Sequence, residues 1–442
     1  MKEMLKSALL AAVLTGLCAC GQQAVSYPPS GSVMPDSGKW VDYAGAVLPM
    51  TGDNVEDLTV RRSLELDFSH WSEADGIVRV EDSYVISNPT GERVESLLRY
   101  PISTSLAELP NVVYTVSVDG EDVKVNDFLA ATKSGYGRFE IYSDGYDDPY
   151  WVGEKLKQIM QECYTQEPSF VCDRDLSQVK AYRYTFTDIQ NDSFWPVSRE
   201  AALCLEFAWD STDGVASSYG FGRNGGDGGT YFRSSVLARE AQRAVVTTIG
   251  APLTHYTMTG YYTLAWEENS RLTTLTARLA EEELTAEQML EESLDACLAQ
   301  REVFADRDLL LAEAKRQTAD RLERMEPLLA FWNWDYFLYN EPIRERLLWL
   351  EVPVSFAPNE EHRITVTYQR SGGVELGGPA ARDGVWHYDV LPAYGTKLVI
   401  ADQVITLTGG EQAAVTSEAL GRALIEGLVP MESFYHFAVE QS

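Results

Sequence analysis

Apolar residues recur at every second position through much of this chain. Leu64-x-Leu66-x-Phe68, Leu203-x-Leu205-x-Phe207 and Val352-x-Val354-x-Phe356 each place one apolar face on an extended segment, as a half-buried strand does. Each is followed by a polar turn and a second alternating run that ends in tyrosine. These runs are Val78-x-Val80-x-Asp82-x-Tyr84, Val215-x-Ser217-x-Tyr219 and Ile364-x-Val366-x-Tyr368. The second and third copies share the Phe-to-Tyr spacing and read Phe-Ala before the turn, at Phe207-Ala208 and Phe356-Ala357. The pattern predicts a recurring β-hairpin, a weak internal repeat of one sandwich-building unit.

Around the first copy, Ser96 to Pro101, Val112 to Val116 and Val123 to Val125 read as further strands. Asn88-Pro89-Thr90-Gly91 and Asp119-Gly120 supply turn signals of the hairpin kind. Strands this short and close predict a β-sandwich over 57–135. Helical spacing appears twice. Trp151 to Gln166 carries Val152, Leu156, Ile159 and Met160 on one face. In 273–330, Thr285 and Gln288 form a capping box, followed by Leu290, Leu294, Cys297 and Leu298 and then by Leu310, Leu311, Ala314, Leu322 and Met325. The acidic run Glu281-Glu282-Glu283 reads as a solvated helix face. Because strands resume after 345, the helical hairpin is expected to interrupt a β-domain.

The expected fold class is therefore mainly β with α insertions. Its divisions are 1–19, a signal peptide; 20–56, a lipidated N-terminus and flexible tether; 57–135, a β-sandwich; 136–176, a loop and helix insert; 177–270 with 345–410, a discontinuous β-domain; 271–344, a helical insert; and 411–442, a C-terminal tail.

The first two divisions rest on their own signals. Lys2 and Lys6 make a basic start, and Leu9 to Leu17 form an apolar stretch too short to span a bilayer. It has the size of a secretory core. Leu17-Cys18-Ala19-Cys20-Gly21 follows. This resembles the lipobox of bacterial lipoproteins, which implies that the Cys20 thiol takes a diacylglycerol and that Cys20 becomes the new N-terminus. Cys18 is the weaker choice, because bulky Leu17 directly precedes it. Two acyl chains hold a protein stably where one does not. Pro28-Pro29-Ser30-Gly31 and Pro35 to Gly38 favour an unstructured tether. The 57–135 region, with Tyr84, Asn88-Pro89, Pro101 and Val118-Asp119-Gly120, is similar to a β-domain of uncharacterised exported lipoproteins of Gram-positive bacteria. That resemblance implies a β-fold and no activity.

Charge narrows the partners. The formal net charge of −31 repels a phosphate backbone, so no nucleic-acid partner is expected. Of six cysteines, Cys163, Cys172, Cys204 and Cys297 would remain in the exported chain. Outside the cytoplasm, Cys163 and Cys172 are candidates for a disulfide, worth about 2.7 kcal/mol for so short a loop, with free buried thiols the alternative.

The sequence lacks GxSxG, HExxH, CxxC and the Walker phosphate loop, and none of its five histidines stands at a metal-ligand spacing from another. Neither a cofactor nor a metal is expected. Asp144, Asp147 and Asp148 suit a hard cation less well than a solvated turn. The glycine-rich run 220–229 lacks the lysine of a phosphate cradle. Phe331 to Tyr339 is the most aromatic segment, and Trp332, Trp334 and Tyr336 are candidates for a binding surface. Core packing at a helix-to-strand junction is the favoured reading of the same rings. The whole points to a lipid-anchored binding or envelope-assembly module on the extracytoplasmic face of the cell membrane, with a protein or glycan partner. A hydrolase acting on envelope material is the rival reading.

Overall fold

A computed structural model describes residues 45–72, 74–132, 172–191, 275–299, 305–324, 331–377, 384–391 and 395–409. It also describes the shorter runs 40–42, 164–168, 201–208, 215–219, 223–226, 231–237, 243–253, 255–262, 271–272, 413–416 and 435–441, with the single residues 170, 303 and 393. Strands make up 51% of the chain, so the fold is mainly β with α insertions.

Two sheets face each other across one core. Their strands are β1 (Thr51–Asp53), β2 (Thr59–Asp67), β3 (Ile77–Ser87), β4 (Val94–Thr104), β5 (Tyr114–Val118), β6 (Glu121–Asp122), β7 (Asn126–Thr132), β8 (Tyr164–Pro168), β9 (Arg346–Phe356), β10 (Glu361–Ser371) and β11 (Val399–Thr408). One sheet runs β11-β2-β3-β10-β5-β6 and the other β8-β7-β9-β4-β1. The alternation seen in the sequence is the inward face. Along β2, Val60, Arg62, Leu64 and Leu66 are buried, and along β3, Val78, Val80, Asp82, Tyr84 and Ile86. Tyr100 of β4 meets Tyr84 of β3 and Tyr368 of β10 edge-on, with ring centroids 6.4 and 6.0 Å apart.

Only the first copy of the sequence pattern is a hairpin, with β2 and β3 paired antiparallel. In the third, β9 and β10 lie in opposite sheets, and in the second, Ala201–Ala208 and Val215–Tyr219 also belong to different sheets. In the third copy the chain arches between layers at the turn 357–360 instead of folding back within one. β3 and β4 form a second such arch across Asn88-Pro89-Thr90-Gly91. The two arches lie side by side, because β3 pairs with β10 and β4 with β9 over eleven-residue strands. Asn88, fully buried, staples their crests. Its Nδ2 donates to the carbonyls of Glu92, Phe356 and Ala357, its Oδ1 accepts from Thr90, and its backbone N–H donates to Glu360. The Asp119-Gly120 turn does close a hairpin. Both residues have positive φ, +55° and +87°, which a two-residue turn between twisted strands requires.

These pairings correct the expected divisions. Within 345–410, β9, β10 and β11 belong to the sandwich with 57–135, not with 177–270, because they pair with β4, β3 and β2, while Gly373–Gly377 and Trp386–Val390 lie in a separate sheet with Trp40–Asp42 and Tyr435–Gln441. The 177–270 segment builds two further five-stranded sheets, one completed by Leu275–Thr285 and Phe331–Asn333 and the other by Arg271–Leu272. Alternation specifies a strand's buried face but not its neighbour, and chain proximity is a poor guide across a long insertion. The fold also reaches beyond two expected limits. Within the expected tether 20–56, Met50 and Val55 are fully buried and Val47 nearly so. Within the expected tail 411–442, Tyr435–Gln441 pairs with Trp386–Val390. Of the helix expected at Trp151 to Gln166, the final residues lie in β8, paired with β7, and 151–163 lie outside the described residues.

The helical hairpin is α1 (Ala286–Leu298) and α2 (Arg307–Arg324). Thr285 and Gln288 close the capping box in both directions. Glu281-Glu282-Glu283 is solvated but lies on a strand, where Glu282 and Glu283 bond Arg183 and Lys180 at 3.0 and 2.8 Å. The hairpin meets the sandwich at a buried ionic cluster. Arg346, at the first residue of β9, donates to Glu341 Oε2 at 2.9 Å and lies 3.4 Å from Glu313 Oε1 on α2. Burial pushes the Glu313 carboxyl up, but Arg346 and Arg316 outweigh it and hold it at about 2. The stabilisation from this depressed group is complete above its ordinary 4.5 and is lost as pH falls towards 2.

The sandwich core contains a second ion pair. Arg62 and Asp82 are wholly buried and joined by two bonds, Nε to Oδ1 at 2.8 Å and Nη2 to Oδ2 at 2.6 Å. Arg62 Nη1 donates to Gln403, and the hydroxyls of Tyr84 and Tyr100 donate to Asp82. Removing one member of such a pair strands a buried charge, whereas replacing both by apolar groups is often tolerated. Asp82→Ala should therefore cost about 3–5 kcal/mol in urea unfolding, and Arg62→Met with Asp82→Leu should recover most of it. A single variant within about 0.5 kcal/mol of wild type would remove the pair from its central role.

Candidate binding cleft

The outer face of the five-stranded sheet is uncovered where its central ladder outruns its neighbours. β4 and β9 pair along their full length, Thr104 with Arg346 through Val94 with Phe356. β7 pairs with β9 only as far as Glu351, and β1 pairs with β4 only over Leu97 to Arg99. Two prolines accordingly sit inside these strands. Pro353 lies past the end of β7, and Pro101 past the reach of β1. Proline, lacking an N–H, suits a strand flank with no partner. At Asn54 the backbone turns to φ +57° and ends β1. The Asn54 side chain donates to the Glu95 carbonyl at 3.0 Å, and Ser96 Oγ donates to the Asn54 carbonyl at 3.0 Å.

The result is a shallow, open cleft of about 480 Å³ lined by Asp53, Asn54, Glu95, Ser96, Leu97, Pro353, Val354 and Ser355. Leu97 and Pro353, paired across the ladder, supply apolar surface between polar rims. Both rim carboxylates are engaged. Asp53 bonds Arg99 at 2.9 Å and lies 3.4 Å from Lys397. Glu95 accepts from Ser355 Oγ at 2.8 Å, and Ser355 Oγ in turn accepts from Arg93. Beyond the cleft, Arg99 continues to Glu351 at 2.9 Å, and Glu351 accepts from Asn126. The surface offers a short apolar strip inside an ordered hydrogen-bonding frame.

The residues singled out from sequence lie elsewhere. Trp334, the first residue of α3 (Trp334–Asn340), is 1% exposed and packs edge-on against Phe337 at 5.5 Å. It is a core residue, as the favoured packing reading expected, and the alternative of a binding surface falls at this ring. The side chains of Trp332 and Tyr336 lie outside the described residues, although Phe331–Asn333 pairs parallel with Val215–Tyr219. Cys20, Cys163 and Asp144 to Asp148 also lie outside them. Cys172 is a free thiol whose Sγ donates to the carbonyls of Arg174 and Lys315, so the expected disulfide with Cys163 is not formed at this residue. Burial pushes that thiol's pKa up, away from the reactive thiolate. Cys297 is buried in the core. Within the glycine-rich run, Arg223–Gly226 is a strand paired with Tyr231–Leu237.

Among the described residues, no group of three or more histidine, cysteine, aspartate or glutamate side chains is placed to hold a metal, and no helix is long and apolar enough to cross a membrane. Comparison with protein families, curated proteins and solved structures returns no match.

The cleft itself carried no sequence motif. Its one legible signal was Pro353 inside an otherwise regular strand pattern, which marks a place where a neighbouring strand is missing. For the aromatic segment, Trp334→Ala should cost about 3–5 kcal/mol in denaturant unfolding, the usual loss on emptying a buried aromatic site. A change within about 0.5 kcal/mol would return Trp334 to the surface.

Proposed function

We propose that this protein is a lipid-anchored binding module of the extracytoplasmic cell surface, which engages an extended protein or glycan partner through the cleft on the β4–β9 ladder. The observation that carries the reading is the form of that cleft. It is open and shallow, with apolar Leu97 and Pro353 between hydrogen-bonding rims. Small-molecule sites are typically enclosed and bury most of the ligand. An exposed apolar strip framed by ordered polar groups suits an extended chain laid across it. The Lys2, Lys6, Leu9 to Leu17 and Ala19-Cys20-Gly21 series supports the anchor, through diacylglycerol on Cys20.

A hydrolase acting on envelope material would draw on the cleft carboxylates Asp53 and Glu95. Each is already tied to a neighbour, Asp53 to Arg99 and Lys397, and Glu95 to Ser355. These contacts make both carboxylates part of the hydrogen-bonding frame of the cleft, which favours binding.

The anchor and the cleft are tested separately. Cys20→Ala should abolish incorporation of a palmitate analogue and release the protein from the membrane fraction, while Cys18→Ala leaves both unchanged. The opposite pattern would assign the anchor to Cys18. Leu97→Arg places a charge on the cleft floor without entering the core. It should leave the circular dichroism spectrum unchanged and lower retention on isolated envelope fragments by about tenfold, since a lost central contact is worth at least about 1.4 kcal/mol. Undiminished retention would move the binding surface elsewhere.

A further inference from the structure

His362 stands where three parts of the sandwich meet. It is the second residue of β10, directly after the β9–β10 arch. Its Nδ1 lies 2.6 Å from Asp119 Oδ2, in the turn of the β5–β6 edge hairpin. Its Nε2 lies 3.5 Å from Glu360 Oε2 in the arch crest. Phe356 covers one face, with ring centroids 5.3 Å apart. Both ring nitrogens therefore face acceptors. A neutral imidazole has only one N–H to give and must turn a lone pair towards the other acceptor, whereas the imidazolium satisfies both sides.

We propose that His362 is a pH-dependent clasp: its imidazolium ties the edge hairpin 114–122 to the arch crest, and loss of its proton loosens that hairpin. Asp119 is well placed to transmit the change. Its other oxygen accepts the Arg363 N–H at 2.8 Å, and its own N–H donates to the Arg363 carbonyl at 2.7 Å. Glu360 likewise accepts the Ala357 N–H at 2.6 Å and so couples the clasp to the arch turn.

The charged surroundings favour the proton. On the same strand, Glu361 is paired with Arg61 of β2 at 3.1 Å and also accepts from Ser87 of β3, so it neither adds to nor competes with the clasp. Arg363 opposes protonation, but its side chain lies on the exposed outer face. Glu121 and Asp122 on β6 are exposed and add negative potential on the hairpin side. Burial alone pulls the imidazole down, and Asp119 and Glu360 overcome it, leaving its pKa above the ordinary 6.5. The stabilisation is therefore complete below 6.5 and is lost as pH rises through the higher folded-state value.

The test uses the full chain. The His362 ring resonance is followed by NMR, and amide exchange of Tyr114 to Val118, corrected for intrinsic rates, is measured between about pH 6 and about pH 8.5, the range in which a histidine switches. The His362 midpoint should lie above 6.5. Protection of these amides should fall about two- to fivefold across the range, the scale of a partly exposed ion pair. In His362→Gln, which keeps a donor but no titration, protection should not change with pH. In Glu360→Gln, which keeps the turn, the His362 midpoint should fall. Equal pH dependence in wild type and His362→Gln, or a His362 midpoint at or below 6.5, would overturn the proposal.

Discussion

The buried pair of Arg62 and Asp82 is the constraint around which the sandwich is arranged. Two full charges stand at core-facing positions on adjacent strands, with no exposed surface at either side chain. Their desolvation is affordable only if every remaining donor and acceptor is met. The surrounding residues do much of that work. Gln403 reaches in from β11, Tyr84 from β3 and Tyr100 from the opposite sheet, and Tyr84 in turn accepts the Met50 N–H at 2.9 Å. A single polar network therefore joins β2, β3, β4, β11 and the segment before β1. A register slip of one residue in β2 or β3 would turn one charge outwards and leave the other buried. The pair thus selects one pairing among the many that alternating strands allow.

The same principle appears where the insertion meets the sandwich, with a different outcome. Glu313, Glu341 and Arg346 bring charge from α2, from the end of α3 and from the start of β9 into one buried place. Here the ions do not select a register. They fix the point at which the chain re-enters the sandwich. Asn88 does comparable work without charge, holding two arch crests together through carbonyls that the turns leave unpaired. Each device ends strand freedom at a particular spot. Between those spots, apolar packing is free to follow the alternation.

Much of the fold was legible in the sequence. Period-two runs located β2, β3, β9 and β10 correctly, and the Thr285–Gln288 capping box marked the start of α1. What could not be read was which strands lie beside which. Val352-x-Val354-x-Phe356 and Ile364-x-Val366-x-Tyr368 look like a hairpin because each alternates, yet the intervening turn carries the chain to the other sheet. Alternation reports burial, which is local. Layer assignment depends on Asn88 and Glu360, residues that meet only after folding. The cleft was hidden for a related reason, since it is formed by strands that stop, and a missing neighbour leaves almost no mark on the residues it exposes. Trp334 shows the converse: an aromatic cluster conspicuous in sequence resolved, at that ring, into core.

The sandwich is also split in time. Arg99 meets Glu351 from 252 positions away, and Arg62 meets Gln403 from 341. Closing a loop of that size, compared with one of roughly twenty residues, costs only about 2 kcal/mol in chain entropy. The penalty for stability is therefore small. The penalty for kinetics is larger, because such distant pairings slow folding and leave β3 and β4 with bare flanks until β9 and β10 arrive. A chain that emerges from its N-terminal side would carry two eleven-residue strands, each bare along one flank, while the whole insertion is still being delivered. Open ladders of that length are templates for intermolecular pairing. Early folding of the insertion would bring residue 346 back near residue 104 and shorten the effective loop, so the unit that divides the sandwich in sequence would also be what makes its closure fast.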